Sequence, residues 1–169
     1  ELAPKLLSFR NNQGELIAFL EELTSQGLTI TPLLDRDDAG NRFPLHEIDP
    51  FTFYGVFNRQ TRWDNRIRIL EAIKTKFGLL APVPTAFDAI PVLNNQRSWL
   101  FAYSHARDPG DIGRLWDVFS EALEPDPMNN RRFADSFDRA LKIRNTNINL
   151  TMGLFWIRSS EFISLDSPM

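Results

Sequence analysis

Three short stretches of this chain combine arginine with side-chain amides, and two of them add aromatic rings, the residue types that contact nucleic acid. In "NRQTRWDNR", Asn58, Gln60 and Asn65 can hydrogen-bond a base edge, while Arg59, Arg62 and Arg66 can meet phosphate. Arg62 and Arg66 are four apart, so a helix puts them on one face. The same residues also fit an ordinary solvated amphipathic helix. In "NNQRSWLFAY", Asn94, Asn95, Gln96 and Arg97 offer donors and acceptors, and Trp99 and Tyr103 can stack on an exposed base. That stretch also reads as a loop that caps its own backbone and anchors Trp99 in the core. In "NNRR", Asn129, Asn130, Arg131 and Arg132 stand at a helix N-terminus, where backbone N–H groups favour phosphate. Such a group is equally an ordinary surface.

Other chemistry is not spelled out. The sequence has no GxxxxGK or GxGxxG phosphate loop and no GxSxG nucleophile elbow. His46 and His105 lie in different segments, and no HExxH or comparable spacing supports zinc. Cysteine is absent, which excludes disulfides and thiolate metal sites. "DRDDAGNRFPLHEI" puts Asp35, Asp37 and Gly40 at positions 1, 3 and 6 of a calcium loop. Ala39 and His46 occupy the fifth and twelfth positions, where ligands are required, so the stretch reads as a hairpin turn with solvated acids. No lysine follows the grouped Asp35, Asp37 and Asp38 closely enough for a metal-dependent nuclease. No catalytic residue, metal or cofactor is expected. An enzyme acting on a flipped base would need a carboxylate of raised pKa, for which Asp88 and Asp166 are candidates, each equally a loop cap.

The bulk numbers frame these motifs. At 169 residues the chain is long enough for one domain with a real core. The 43% hydrophobic and 24% charged content is that of a globular protein, and fourteen Phe and four Trp supply large areas to bury. Net charge is −3, so no global basic field exists and a DNA-contacting surface has to be a local patch. No apolar run approaches the roughly 18 residues of a membrane span, and no signal peptide opens the chain. A cytoplasmic protein with no membrane partner is expected.

The elements that must position these residues are mostly helical. Asp49-Pro50, Asp108-Pro109 and Asp126-Pro127 each read as a helix start, with aspartate accepting a free N–H and proline at the first helical position. A first helix is expected over residues 13–26, with Leu16, Ile17, Leu20 and Leu23 inward and Gly27 as terminator. Residues 28–34 read as an edge strand, 37–41 as a turn and 42–45 as a returning strand. Residues 50–58 are apolar nearly all round and predict a short buried helix. Thr61 is expected to cap the next helix, whose inward stripe is Trp63, Ile67, Leu70, Ile73 and Phe77, ending at Gly78. Residues 81–93 read as an ordered loop, and 95–103 as either strand or short helix. Ile112, Leu115, Trp116, Phe119 and Leu123 mark the clearest helix. A further helix is expected over 127–144 with Phe133, Phe137 and Leu141 inward, and a central buried helix or strand over 148–157. The fold class is therefore mainly α (α+β): a single compact helical domain over 1–169 with a small N-terminal β-hairpin.

Four strings, "IDPFTFYGVFNR", "VPTAFDAIPVLNNQRSWLFAY", "DIGRLWDVFSEAL" and "NLTMGLFWIRSSEFISLDS", occur in this order. Together they resemble a region upstream of the AAA+ motor in bacterial McrB-like proteins. Those are the nucleotide-hydrolysing subunits of modification-dependent, 5-methylcytosine-type restriction systems. The resemblance covers residues 45–167. It implies a DNA-binding or DNA-sensing domain in antiphage defence, partnered by the motor of the same chain and by a separate nuclease subunit. The Walker motifs of that motor are absent, so the expectation is a domain excised from a longer chain. Ser159 replaces the proline of the family's "WIRP", and Pro168 stands where "LDSRN" has arginine. The resemblance transfers no catalytic residue. It leaves open a protein-interaction or structural adaptor that holds a recognition module against the motor.

Overall fold

The computed structural model describes residues 1–96 and 98–165. Among them are seven α-helices and one two-stranded antiparallel sheet, so the protein is mainly α with a small β-hairpin. The helices are α1 (Leu2–Leu6), α2 (Gln13–Ser25), α3 (Pro50–Gly55), α4 (Trp63–Phe77), α5 (Asp111–Leu123), α6 (Arg131–Ala140) and α7 (Asn147–Ile157). Strands β1 (Leu34–Arg36) and β2 (Arg42–Pro44) pair Leu34 with Pro44, Asp35 with Phe43 and Arg36 with Arg42. No described helix is long and apolar enough to cross a membrane.

The short helix α3 is the hub, and its sequence explains why. All six of its residues are buried, as a helix apolar on every side must be. Asp49 Oδ1 accepts from the backbone N–H groups of Phe51 (2.8 Å) and Thr52 (3.0 Å), with Pro50 at the first helical position. Phe51 meets Phe119 of α5 edge-on at 5.5 Å. On its other side α7 approaches closely enough that a Cβ on Gly153 would lie 2.5 Å from the Phe51 ring. Trp116 of α5 is fully buried and donates its indole N–H to the Ile48 carbonyl at 3.0 Å. Each such aromatic side chain removed from water contributes roughly 1.5–3 kcal/mol. One contiguous apolar core results, running from Leu2 to Phe162.

Several local expectations shift. Residues 28–33 do not pair as a strand. Asn65 accepts from Thr29 N–H (2.9 Å) and donates to Thr29 O (2.8 Å), so α4 holds that backbone in place of a ladder. Of the three Asp-Pro starts, only Asp49 caps its helix. Asp108 precedes a turn, and α5 begins after Gly110 at φ +88°. Asp126 opens a 3-10 turn over Pro127–Asn129, and Asn130 caps α6 by accepting from Arg132 N–H. Arg62 rather than Thr61 precedes α4. The inward face of α4 is Arg66, Ile69, Ile73 and Phe77: Ile73 and Phe77 lie inward as expected, Ile67 and Leu70 are only part-buried, and Trp63 is half exposed against Phe87. Helix α6 stops at Ala140, which leaves Leu141 exposed. Residues 95–103 form neither strand nor helix among those described.

Candidate nucleic-acid interface

The predicted site residues divide by burial. Asn58, Arg59, Arg66 and Trp99 are buried, whereas Arg62, Asn95, Tyr103, Arg131 and Arg132 are exposed. Arg97 lies outside the described residues, as does Asp166. Arg62 and Arg66 do not share an exposed face. Arg62 reaches solvent before α4, 3.5 Å from Asp64, while Arg66 turns into the fold. Asn65 is occupied by the Thr29 backbone. Arg131 and Arg132 sit at the start of α6, with Arg131 3.8 Å from Asp135. Such exposed pairs contribute little and leave the cation available.

The second predicted stretch lines a cleft of about 300 Å³ with Asn95, Gln96, Trp99 and Tyr103, closed on the other side by the hairpin through Arg36 and Arg42. Its walls are fixed from behind. Arg59 donates from Nη1 to Thr31 Oγ1 (2.7 Å) and from Nε to Asn95 Oδ1 (3.0 Å), and Thr31 in turn bonds Ser98 Oγ (3.0 Å). Leu93 accepts from Gln60 N–H (3.1 Å) and donates to Asn58 O (2.8 Å), which ties the 93–96 stretch to the end of α3. Burial lowers the Arg59 pKa from its ordinary value, yet the guanidinium keeps its charge at physiological pH.

The aromatic wall is equally ordered. Tyr103 meets Trp99 edge-on at 5.5 Å, and the Arg36 guanidinium lies 5.1 Å from the Tyr103 ring centre. His105 stacks on Tyr103 at 6.1 Å. Buried Asp35 of β1 holds this corner: it accepts from Ser104 N–H at 2.8 Å and pairs with Arg107 at 3.0 Å. That carboxylate is thus spent on structure. Asp37 accepts from both the backbone and side-chain N–H of Asn41, which shapes the hairpin turn. Among the described residues no group of three or more His, Asp or Glu is placed to hold a metal ion.

A second cleft, of about 670 Å³, adjoins the first and shares Asn145 with it. Lys142 and Arg144 line it together with Asn94, Asn147 and Asn149. Asn145 takes φ +82°, a left-handed conformation that asparagine tolerates, and donates to Phe101 O at 3.2 Å. Among the described residues no carboxylate lines either cleft. The two form a strip carrying four cations, several side-chain amides and three aromatic rings, on a protein of net charge −3. Arg36, Arg42, Lys142, Arg144 and Asn145 were not legible as site residues. They are scattered over more than a hundred positions, and only the fold joins them.

The chain belongs to the family described as a domain of unknown function, DUF8425, whose family model matches residues 1–169. No curated protein and no solved structure matches it.

Proposed function

We propose that this chain is a DNA-binding or DNA-sensing domain of a McrB-like restriction protein, non-catalytic by itself and acting in the cytoplasm in antiphage defence. The observation that carries the proposal is the strip of Arg36, Arg42, Lys142 and Arg144 with its asparagines, which no carboxylate among the described residues interrupts. Cations neutralise phosphate and release counterions, which supplies affinity in any sequence context. Side-chain amides and the Tyr103 ring add hydrogen bonds and stacking to bases. The ordered string resemblance to the region upstream of the AAA+ motor supports the same assignment, with that motor and a separate nuclease subunit as partners.

The test is fluorescence anisotropy of labelled methylated duplex, unmethylated duplex and single strand, titrated with the chain at several salt concentrations. Saturable binding that weakens steeply with salt is expected. No binding of any of the three at low salt, up to about 100 μM protein, would contradict it, since non-specific binding alone typically gives Kd values of roughly 10⁻⁴–10⁻⁶ M. One surface favours the adaptor reading as the replacement in that event. Leu80 is 88% exposed beside an apolar groove that includes Leu2, Leu79 and Pro82. Copurification of the chain with a motor fragment, together with no affinity for DNA, would establish it.

A further inference from the structure

Arg66 is the anomaly of this molecule. It is 7% exposed, yet no carboxylate among the described residues reaches it. Its Nη2 donates to Asn58 Oδ1, its guanidinium lies 4.0 Å from the Phe87 ring centre, and its Nε is buried without a hydrogen-bond partner. Arg36 also leaves a buried Nε without a partner, but it is only part-buried, and three other arginines that reach into the fold are better matched. Arg107 has Asp35, Arg114 has Asp111, and Arg59 has two side-chain oxygens. A buried cation with no counter-charge is costly, and an orphaned N–H adds to that cost. Desolvation lowers the Arg66 pKa to about 10, so the side chain is still charged at neutral pH.

Arg66 and Asn58 line an open pocket of about 210 Å³ whose other walls come from α3, α4, α7 and the 84–90 loop. Its walls are otherwise chiefly apolar, with Phe57, Leu70, Phe155 and Trp156 among them. The volume is below the roughly 300–1,000 Å³ that houses drug-sized ligands. We propose that this cavity binds a small apolar monocarboxylate, whose two oxygens meet the Arg66 guanidinium while its hydrocarbon or aromatic body fills the Phe57, Leu70 and Trp156 side. A guanidinium presents a planar fork of donors that matches a carboxylate. One cation balances one negative charge. A dianionic phosphate would leave its second charge unpaired among apolar walls. The site is separate from the DNA-contacting strip: Asn58 lines this cavity, whereas Arg59 bonds to residues of the cleft.

The experiment uses benzoate and hexanoate as probes, with benzamide and hexanamide as neutral isosteres, at fixed ionic strength. Binding is followed by calorimetry and by the thermal midpoint. Benzoate is expected to raise the midpoint saturably and to bind at least about tenfold more tightly than benzamide, as removal of a charged hydrogen-bonding partner implies. Arg66→Met is expected to remove that preference without lowering the midpoint of the free protein, since it deletes an uncompensated charge. Should Arg66→Met fail to fold, Ser159→Phe provides the second arm. Ser159 is an exposed residue of the cavity wall, so this variant is expected to fold, keep its midpoint and lose benzoate binding. Acid and amide binding alike, or neither binding up to about 50 mM, would overturn the proposal.

Discussion

At the scale of single residues, the fold spends polar side chains in places where a sequence shows only their identity. Asp49 is fully buried, and burial pushes its carboxyl up to about 6 despite two backbone donors. In the unfolded chain the group titrates near 3.8. Between those values the folded state holds a proton that the unfolded state has lost. The contribution of Asp49 therefore falls as pH rises from about 4 to 6, by up to about 3 kcal/mol, and is level above that window. Asp49→Asn keeps an acceptor for the α3 N–H groups and has no proton to lose. Urea midpoints measured from pH 4 to 7 are expected to show this descending component in the wild-type chain and not in the variant. Tyr103 makes the complementary case. It is 40% exposed on the strip, where its ring faces solvent beside Trp99. Tyr103→Ala is expected to weaken single-strand binding by about 1–3 kcal/mol, the usual worth of one base stack, with little change in the thermal midpoint.

At the scale of elements, strong periodicity was readable and weak signals were not. Helix α5 shows its buried face directly, because Ile112, Leu115, Trp116 and Phe119 are all apolar. Helix α4 hides its face, because an arginine occupies one of the inward positions. The expected stripe therefore holds at Ile73 and Phe77, in the second half of the helix, while in the first half Ile67 and Leu70 lie one residue away from the buried Arg66 and Ile69. Of the three Asp-Pro pairs only Asp49 caps a helix, since an αL glycine or a 3-10 turn can follow just as well. The buried helix at α7 was legible in its apolar density, but not the reason for Gly153. That position has no room: a Cβ there would overlap the Phe51 ring where α3 and α7 cross. Gly153→Ala is expected to destabilise the fold by about 1–3 kcal/mol through overpacking, despite alanine's better helix propensity. Chemical denaturation of the two forms measures it.

At the scale of the whole molecule, the sequence announced candidate residues but not the surface they make. Asn95, Trp99 and Tyr103 were visible as an amide and aromatic cluster, and they line the cleft. Their cationic neighbours come from the hairpin and from the connection between α6 and α7, which no spacing rule joins. Arg131 and Arg132 begin α6, whereas Lys142 and Arg144 follow its end, so roughly 15 Å of helix separates the two groups. This separation permits a direct comparison on a protein whose net charge is −3. If the strip carries the phosphates, Arg42→Gln with Arg144→Gln should flatten the slope of log affinity against log salt by about 0.9 for each phosphate no longer neutralised. Arg131→Gln with Arg132→Gln changes net charge equally and serves as the control. The decisive measurement is that slope for the wild-type chain and both double variants on one duplex. A slope reduced by nearly two in the strip variant and almost unchanged in the α6 variant is expected. Equal effects from both pairs, or a wild-type affinity indifferent to salt, would contradict it.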